Sequence, residues 1–232
     1  MPSKIANAFD SIEDTIEAFK TGNFIVVLDD LSRENEGDLI IAAEDMTTEK
    51  MAFMVRYTSG IICTPMLPSL TEHFDLPQMV TSNEDPNHTA YTVTIDANLP
   101  EITTGISAHD RALTVRTLAG TTATKASFRR PGHVLPLKAK AGGVRERVGH
   151  TEAAVEICRL AGKVPVGAIS EIVDDIAPIE GQASLPDTGM LRRDGCLAFG
   201  KRFGLKVCTI EDLVAYVEKT EGKLPKNANG TS

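Results

Sequence analysis

Two short apolar runs flank a strongly charged stretch, and this arrangement constrains the fold more than any other feature of the chain. Phe24-Ile25-Val26-Val27-Leu28 precedes the stretch and Leu39-Ile40-Ile41-Ala42-Ala43 follows it. Each run is short and rich in branched side chains, as expected of a strand buried in a sheet. A turn between such strands usually needs only Gly, Asn or Asp. This one also carries one arginine and three acids within six residues, Arg33 to Asp38. In extended backbone Glu34, Glu36 and Asp38 share one face and Arg33 takes the other. Converging carboxylates form a hard oxygen site suited to Mg²⁺ or Mn²⁺, and an adjacent arginine suits a phosphate or a substrate oxygen. A solvated hairpin tip is the plain structural alternative, so the rest of the chain has to decide.

No Pro/Gly/Ser-rich linker, charge block or repeat divides the 232 residues. One domain over residues 1–223 is expected, with a disordered tail over 224–232. The net charge of -8 argues against nucleic acid as a partner, because phosphate binding leaves a basic footprint. The four cysteines, Cys63, Cys158, Cys196 and Cys208, form no CxxC pair, which predicts reduced thiols. No run reaches membrane-spanning length, and Asp10, Glu13, Asp14 and Glu17 are wrong for a signal or transit peptide. These features predict a soluble cytoplasmic protein with neither a membrane nor a nucleic-acid partner.

In chain order, Phe9, Ile12, Ile16 and Phe19 mark a helix from Ala8 to about Lys20. Thr47-Thr48-Glu49 caps a second helix, through Tyr57, and Ile61-Ile62-Cys63 reads as a buried strand ending at Thr64-Pro65. Cys63 has no basic neighbour in sequence and reads as a core thiol. Met66 to Thr89 reads as irregular chain, and Tyr91 to Asp96 alternates as a strand. A helix from Asp110 to Ala119 is capped near Ser107. Arg129 to Leu137 reads as loop and then strand, with Pro131-Gly132 fixing where His133 points. Ala153, Ala154, Ile157, Cys158 and Ala161 give a helical face, which puts His150-Thr151 at a helix start. Free N–H groups there, with Arg147 and the Thr151 hydroxyl, make a phosphate cradle. Glu171 interrupts an apolar strand, where a carboxylate needs a partner. A helix from about Met190 to Phe203, a strand Leu205–Cys208 and a helix opened by the box Thr209-Ile210-Glu211-Asp212 complete the chain.

Four blocks carry a resemblance: Asp30 to Leu39, Thr103 to Arg111, Arg130 to Val134 and Arg147 to Ala154. Together, in this order, they resemble 3,4-dihydroxy-2-butanone 4-phosphate synthase in its single-function form, over about Ala8 to Val217. Ser127 and Leu135 stand where that family usually has an acid and a phenylalanine. The resemblance implies an α+β, three-layer α/β/α fold, a mixed twisted sheet sandwiched between helices. It implies a homodimer with active sites at the subunit boundary. The implied reaction is lyase chemistry in riboflavin biosynthesis, converting ribulose 5-phosphate to 3,4-dihydroxy-2-butanone 4-phosphate and formate. It assigns Mg²⁺ or Mn²⁺ to Glu34 and His150, with Glu36 a candidate for a second ion. Arg33, Glu34, Asp38, Arg147, Gly149, His150, Thr151 and Glu171 are then the substrate contacts, and His133 and Glu171 the proton-transfer groups. A non-catalytic module holding a phosphorylated ligand, or a metal-dependent pentose-phosphate isomerase or aldolase, would need fewer of these residues. Formate release separates the three.

Overall fold

The computed structural model describes residues 8–175 and 188–225. The expected tail lies outside them apart from Leu224 and Pro225. Among the described residues the centre is a seven-stranded mixed sheet in the order β4-β5-β3-β6-β2-β1-β9. The strands are β1 (Ile25–Leu28), β2 (Gly37–Ala42), β3 (Cys63–Met66), β4 (Ile95–Ala97), β5 (Phe128–Lys138), β6 (Gly167–Glu171) and β9 (Lys206–Thr209). A separate pair, β7 (Val173–Asp175) and β8 (Thr188–Met190), is antiparallel. β1 runs antiparallel to β2 and parallel to β9, while β3 is parallel to β5 and antiparallel to β6.

The period of two in the strands sorts side chains into two cores. Val26, Leu28, Leu39 and Ile41 pack with Met51 and Met54 of α2 (Thr48–Thr58), Ala112 and Val115 of α4 (Ala108–Leu118), and Cys196 of α6 (Arg193–Phe203). Ile25, Val27, Ile40 and Ala42 face the other way. They pack with Phe19 of α1 (Ile12–Lys20), Ala153 and Ile157 of α5 (His150–Leu160), and Leu213 and Val217 of α7 (Ile210–Glu221). This is the α/β/α sandwich expected. The caps follow sequence chemistry: Ser11, Thr47, Ser107 and Thr209 each accept a backbone N–H three residues on.

Several boundaries differ from expectation, among them α1, which begins at Ile12 rather than Ala8, and α6, which begins at Arg193 rather than Met190. β2 begins at Gly37, so Asp38 belongs to the sheet rather than to the loop. The stretch before Ile95 touches its neighbours only through single bridges, Tyr91 to Leu137 and Gln78 to Thr92. Thr92 and Val93 donate to the carbonyls of Pro136 and Pro77, which have no N–H to return, so the ladder cannot propagate. A short helix, α3 (Pro68–His73), occupies part of the segment read as irregular, with proline at its first turn.

β5 carries the most unusual feature of the sheet. Ile95 pairs with Val134, yet its neighbour Asp96 pairs with Arg129, so residues 130–133 bulge out of the ladder. The Arg130–Pro131 peptide within the bulge is cis. Gly132 lies so close to β4 that a Cβ there would fall 1.9 Å from the Ile95 carbonyl carbon and 2.2 Å from Asp96 N. Both are backbone atoms and cannot rotate away. Gly132→Ala should therefore lower stability by roughly 1–3 kcal/mol, the usual cost of overpacking. Thermal unfolding measures this, and an unchanged melting temperature would contradict the close approach.

Candidate active site

The charged stretch after β1 is ordered from within by one carboxylate. Asp29 has a fully buried side chain. Its Oδ2 accepts from Arg33 Nη1 at 2.7 Å and Glu34 N at 3.1 Å, and its Oδ1 accepts from Glu36 N at 2.8 Å. Asn35 supplies the positive φ that closes the turn, at 54°. Arg33 bridges Asp29 and Glu34, at 2.7 Å to each. Burial of its guanidinium works against its charge, but those two acids outweigh it and raise its pKa. Outside the turn, Arg192 donates to the carbonyls of Glu34 and Asn35.

Behind this turn the sheet presents charge where a core would be apolar. Val27, Asp38 and Glu171 lie side by side on β1, β2 and β6. Asp38 is 2% exposed and its Oδ1 has no hydrogen-bond partner. Burial, and then the negative charges of Glu171, Glu34, Asp29 and Glu36, push its carboxyl well above the ordinary range. Glu36 is raised as well, first by burial and then by Glu34.

His150 opens α5, with Gly149 as its N-cap. Its Nε2 lies 3.1 Å from the Val27 carbonyl oxygen. A carbonyl can only accept, so Nε2 carries the proton and Nδ1 is left with a bare lone pair. That lone pair faces Asp38 Oδ1 at 3.6 Å and Glu34 Oε2 at 3.8 Å. Burial lowers the His150 pKa from 6.5 to about 4, in spite of Asp29 nearby, so the ring is neutral at physiological pH. Donor atoms of Asp29, Glu34 and His150 all fall within 4.8 Å of one another. A set of carboxylate oxygens with one imidazole nitrogen fits a hard divalent cation.

The helix start supplies the other half of the site. Arg147 donates through Nε and Nη2 to the Asn87 carbonyl and through Nη2 to Thr89 Oγ1, while Nη1 donates to buried Glu152 at 2.6 Å. A Cβ at Gly149 would come within 2.3 Å of Arg147 Nη1, so glycine there lets the guanidinium lie against the helix start. Asn87 also donates from Nδ2 to Glu34 Oε1 at 2.6 Å. Arg33, Glu34, Asp38, Arg147, His150, Thr151 and Glu171 thereby line one cavity of about 50 Å³, which Cys63 also borders. Burial and then Glu171 and Asp38 raise the Cys63 thiol well above its ordinary range, leaving it protonated. Glu171 accepts from the Ile61 N–H at 3.3 Å.

His133 is not part of this cavity. Leu137 lines it, and His133 lies four residues back along β5, roughly 13 Å at about 3.3 Å per residue. There its side chain is 43% exposed and paired with Asp96. Sequence reasoning thus grouped most of the polar cavity residues and missed Thr89 and Tyr91, which also line it. It also passed over three residues that hold site side chains without lining the cavity: Asp29 reads as one more acid of the charged stretch, Asn87 as one polar residue in a polar loop, and Asp96 as the end of an alternating strand.

A family model described as 3,4-dihydroxy-2-butanone 4-phosphate synthase matches residues 13–216. The enzyme of that name from Pyricularia oryzae is 66% identical over 222 residues, 96% of this chain and 95% of the relative. Its namesake from Schizosaccharomyces pombe is 52% identical over 210 residues, 90% of this chain and 97% of the relative. A crystal structure of a synthase of this name with two magnesium ions is 67% identical, with a TM-score of 0.91 over 93% of this chain and 100% of that one.

The charge imbalance yields a pH signature. Asp38 holds its proton more tightly folded than unfolded, so its contribution to stability is complete below about pH 4 and is lost as the pH rises through its raised value. His150 acts oppositely: its contribution is present above the unfolded value of 6.5 and is lost as the pH falls toward about 4. Without divalent cation, Asp38→Asn should melt above the parent at pH 8, with the advantage shrinking as the pH falls. Melting curves across that range decide it; a less stable variant at pH 8 would refute the burial of an uncompensated charge.

Proposed function

The chain belongs to the 3,4-dihydroxy-2-butanone 4-phosphate synthase family, and from that premise we propose how its own residues perform the family's reaction. That reaction converts D-ribulose 5-phosphate to 3,4-dihydroxy-2-butanone 4-phosphate and formate in riboflavin biosynthesis. The observation carrying the proposal is the bare His150 Nδ1 facing the Glu34 and Asp38 carboxylates in the cavity that Arg147 and Thr151 also line. Removal of a weakly acidic ketose proton, loss of a hydroxyl and expulsion of formate need several acid–base groups around one polarising centre. They need no redox cofactor.

Glu34 and His150 hold the divalent cation. When bound, Mg²⁺ or Mn²⁺ supplies Lewis-acid stabilisation of negative charge developing on the sugar oxygens. Glu36, beside the same turn, is the acid available to a second ion. Asp38, whose buried carboxyl is held well above the ordinary range in the absence of cations, hydrogen-bonds a sugar oxygen. Arg33, tied to Asp29 and Glu34, presents its remaining N–H groups to the substrate. Arg147, Gly149 and Thr151 take the phosphate at the start of α5, where backbone N–H groups point outward. For this Arg147 exchanges the Asn87 carbonyl and the Thr89 hydroxyl for phosphate oxygens, acceptors of the same kind. A cavity of about 50 Å³ holds only a few waters, so the sugar phosphate enters as Asn87 leaves Glu34.

Glu171, beside Asp38 on the neighbouring strand, and His133 transfer protons. His133 does so in the site of a second copy: two chains form a homodimer with each site at their boundary. Its distance from its own cavity and its exposure support this, as do exposed apolar residues near the reacting elements, Ile61, Ile106 and Val148. Four unpaired cysteines, all buried, suit a reducing cytoplasmic setting.

Formate release from ribulose 5-phosphate tests the reaction. Chelation should abolish it and Mg²⁺ should restore it. Glu34→Gln and His150→Ala should each lower turnover by roughly a hundredfold or more. Formate release by the chelated parent would exclude the metal reading.

The boundary reading has its own test. In a mixed dimer of Glu34→Gln and His133→Ala chains, one of the two sites has both native residues. Mixing the inactive variants should then restore about a quarter of parental turnover. No recovery in exchanged dimers would place His133 outside the partner's chemistry.

A further inference from the structure

A second cavity, of about 410 Å³, shares no lining residue with the first. It is walled by the turn after β5, the second half of α5 and the end of α7. Arg159 on its wall follows His150 by nine residues, roughly 14 Å along the helix. Lys140, Arg145, Arg159 and Lys163 line the cavity, against the carboxylates of Glu156 and Glu221. Lys163 is balanced from outside it, at 2.8 Å from Asp45 and 3.6 Å from Glu44. The other three cations face two acids, which leaves positive charge in excess in a chain whose net charge is -8.

The donors of this cavity are only partly used. Arg159 donates through Nε and Nη2 to Glu156 and through Nη2 to Glu221, and Nη1 takes no part. Arg145 donates through Nη1 to the Gly222 carbonyl and through Nη2 to Glu221, while its Nε is buried with no hydrogen-bond partner. A buried N–H without an acceptor is unfavourable, and a small turn of the guanidinium offers it to an oxygen bound in the cavity. Among the described residues the exposed Lys140 ammonium pairs with no carboxylate. Gly143, at φ +59°, lets the turn that carries Arg145 lie directly on α5, since a Cβ there would fall 2.2 Å from Glu156 Oε2. A network that only tied α7 to α5 would need the two arginines and the two acids, but neither Lys140 nor the open volume.

We propose that this cavity is a second anion site, which takes a phosphomonoester. The phosphate lies among Lys140, Arg145 and Arg159, and the apolar body of the ester lies against Leu67, Val155 and Pro165, which complete the wall. Guanidinium forks and an ammonium are the side chains that bind phosphate oxygens best. A cavity of about 410 Å³ falls in the size range of small-ligand sites. The site is separate from the cradle at the start of α5 and does not depend on the cation.

Phenyl phosphate is the probe, with inorganic phosphate and uncharged benzyl alcohol as controls, all in the presence of chelator. In the parent the Arg145 Nε–H signal of nitrogen-15 spectra, assigned through its backbone, should shift saturably as phenyl phosphate is added. Arg147→Ala removes the cradle at the start of α5, and calorimetry should still record binding in that variant. Adding Lys140→Gln should weaken this binding about fivefold or more, the loss of one charge-assisted bond. Lys140→Gln alone should release formate at the parental rate. Inorganic phosphate should bind about threefold or more weakly than the ester, because it leaves the apolar wall uncovered, and benzyl alcohol should not bind. An unmoved Arg145 signal in the parent would overturn the proposal and needs no variant to fold. Loss of all binding in folded Arg147→Ala would overturn it too, by assigning the phosphate to the cradle alone. So would an affinity that Lys140→Gln leaves unchanged, or one that benzyl alcohol matches. Equal affinity for inorganic phosphate would overturn the choice of an ester.

Discussion

The cavity depends on one line of residues across three adjacent strands: Val27 on β1, Asp38 on β2 and Glu171 on β6. Val27 contributes only its carbonyl, yet that carbonyl fixes the His150 proton and turns a lone pair toward two acids. Asp38 contributes a carboxyl that burial, and then the neighbouring acids, hold well above the ordinary carboxylate range. A shift of one residue in the β1–β2 register would turn Asp38 to the opposite face, among Leu39, Ile41 and the methionines of α2. The apolar neighbours on each strand oppose that shift, because it would also move each alternating set out of the core it fills. Hydrophobic register and placement of the cavity's charge are the same constraint here.

Burying so many acids together is unfavourable unless some are paired. Asp29 and Arg33 provide the pairing. Asp29 is the most deeply buried of the turn's acids and the most fully bonded, which makes it the scaffold on which Glu34 is displayed. Glu34 keeps one oxygen on Arg33 and offers the other to a loop side chain. The resulting site is braced by hydrogen bonds to Asp29 and carries more carboxylates than cationic groups, a condition under which a divalent ion contributes to stability.

Much of this was legible in the sequence because period and punctuation carry it. Apolar runs marked β1 and β2, hydroxyl and acid caps marked helix starts, and the apolar face from Ala153 to Ala161 marked the start of α5 at His150. What was not legible depends on pairing across the sheet. Asp38 reads as a loop acid because Gly37 looks like the end of a turn, yet Gly37 pairs with Leu28 and Asp38 with Val27. Gly37 is also where α6 comes closest, since a Cβ there would lie 2.4 Å from Cys196 Sγ. The displacement of His133 from the cavity depends on the four-residue offset between β4 and β5, which no single-strand pattern encodes. Asn87 and Asp96 were silent for a related reason: their partners lie 53 and 37 positions away.

Asn87 shows how an open site satisfies its own polar groups. Its amide N–H donates to Glu34, and its carbonyl accepts from Arg147. The loop around it is held by short-range bonds: Asn83 accepts from Asp85 N and donates to the Thr89 carbonyl, and Asp85 accepts from Thr89 N. His88 adopts a positive φ of 52° to complete the turn. A segment tied mainly to itself can move as a unit with few apolar contacts to break. Glu34 and Arg147 share this one residue, so the carboxylate turn and the start of α5 are coupled through a side chain that belongs to neither.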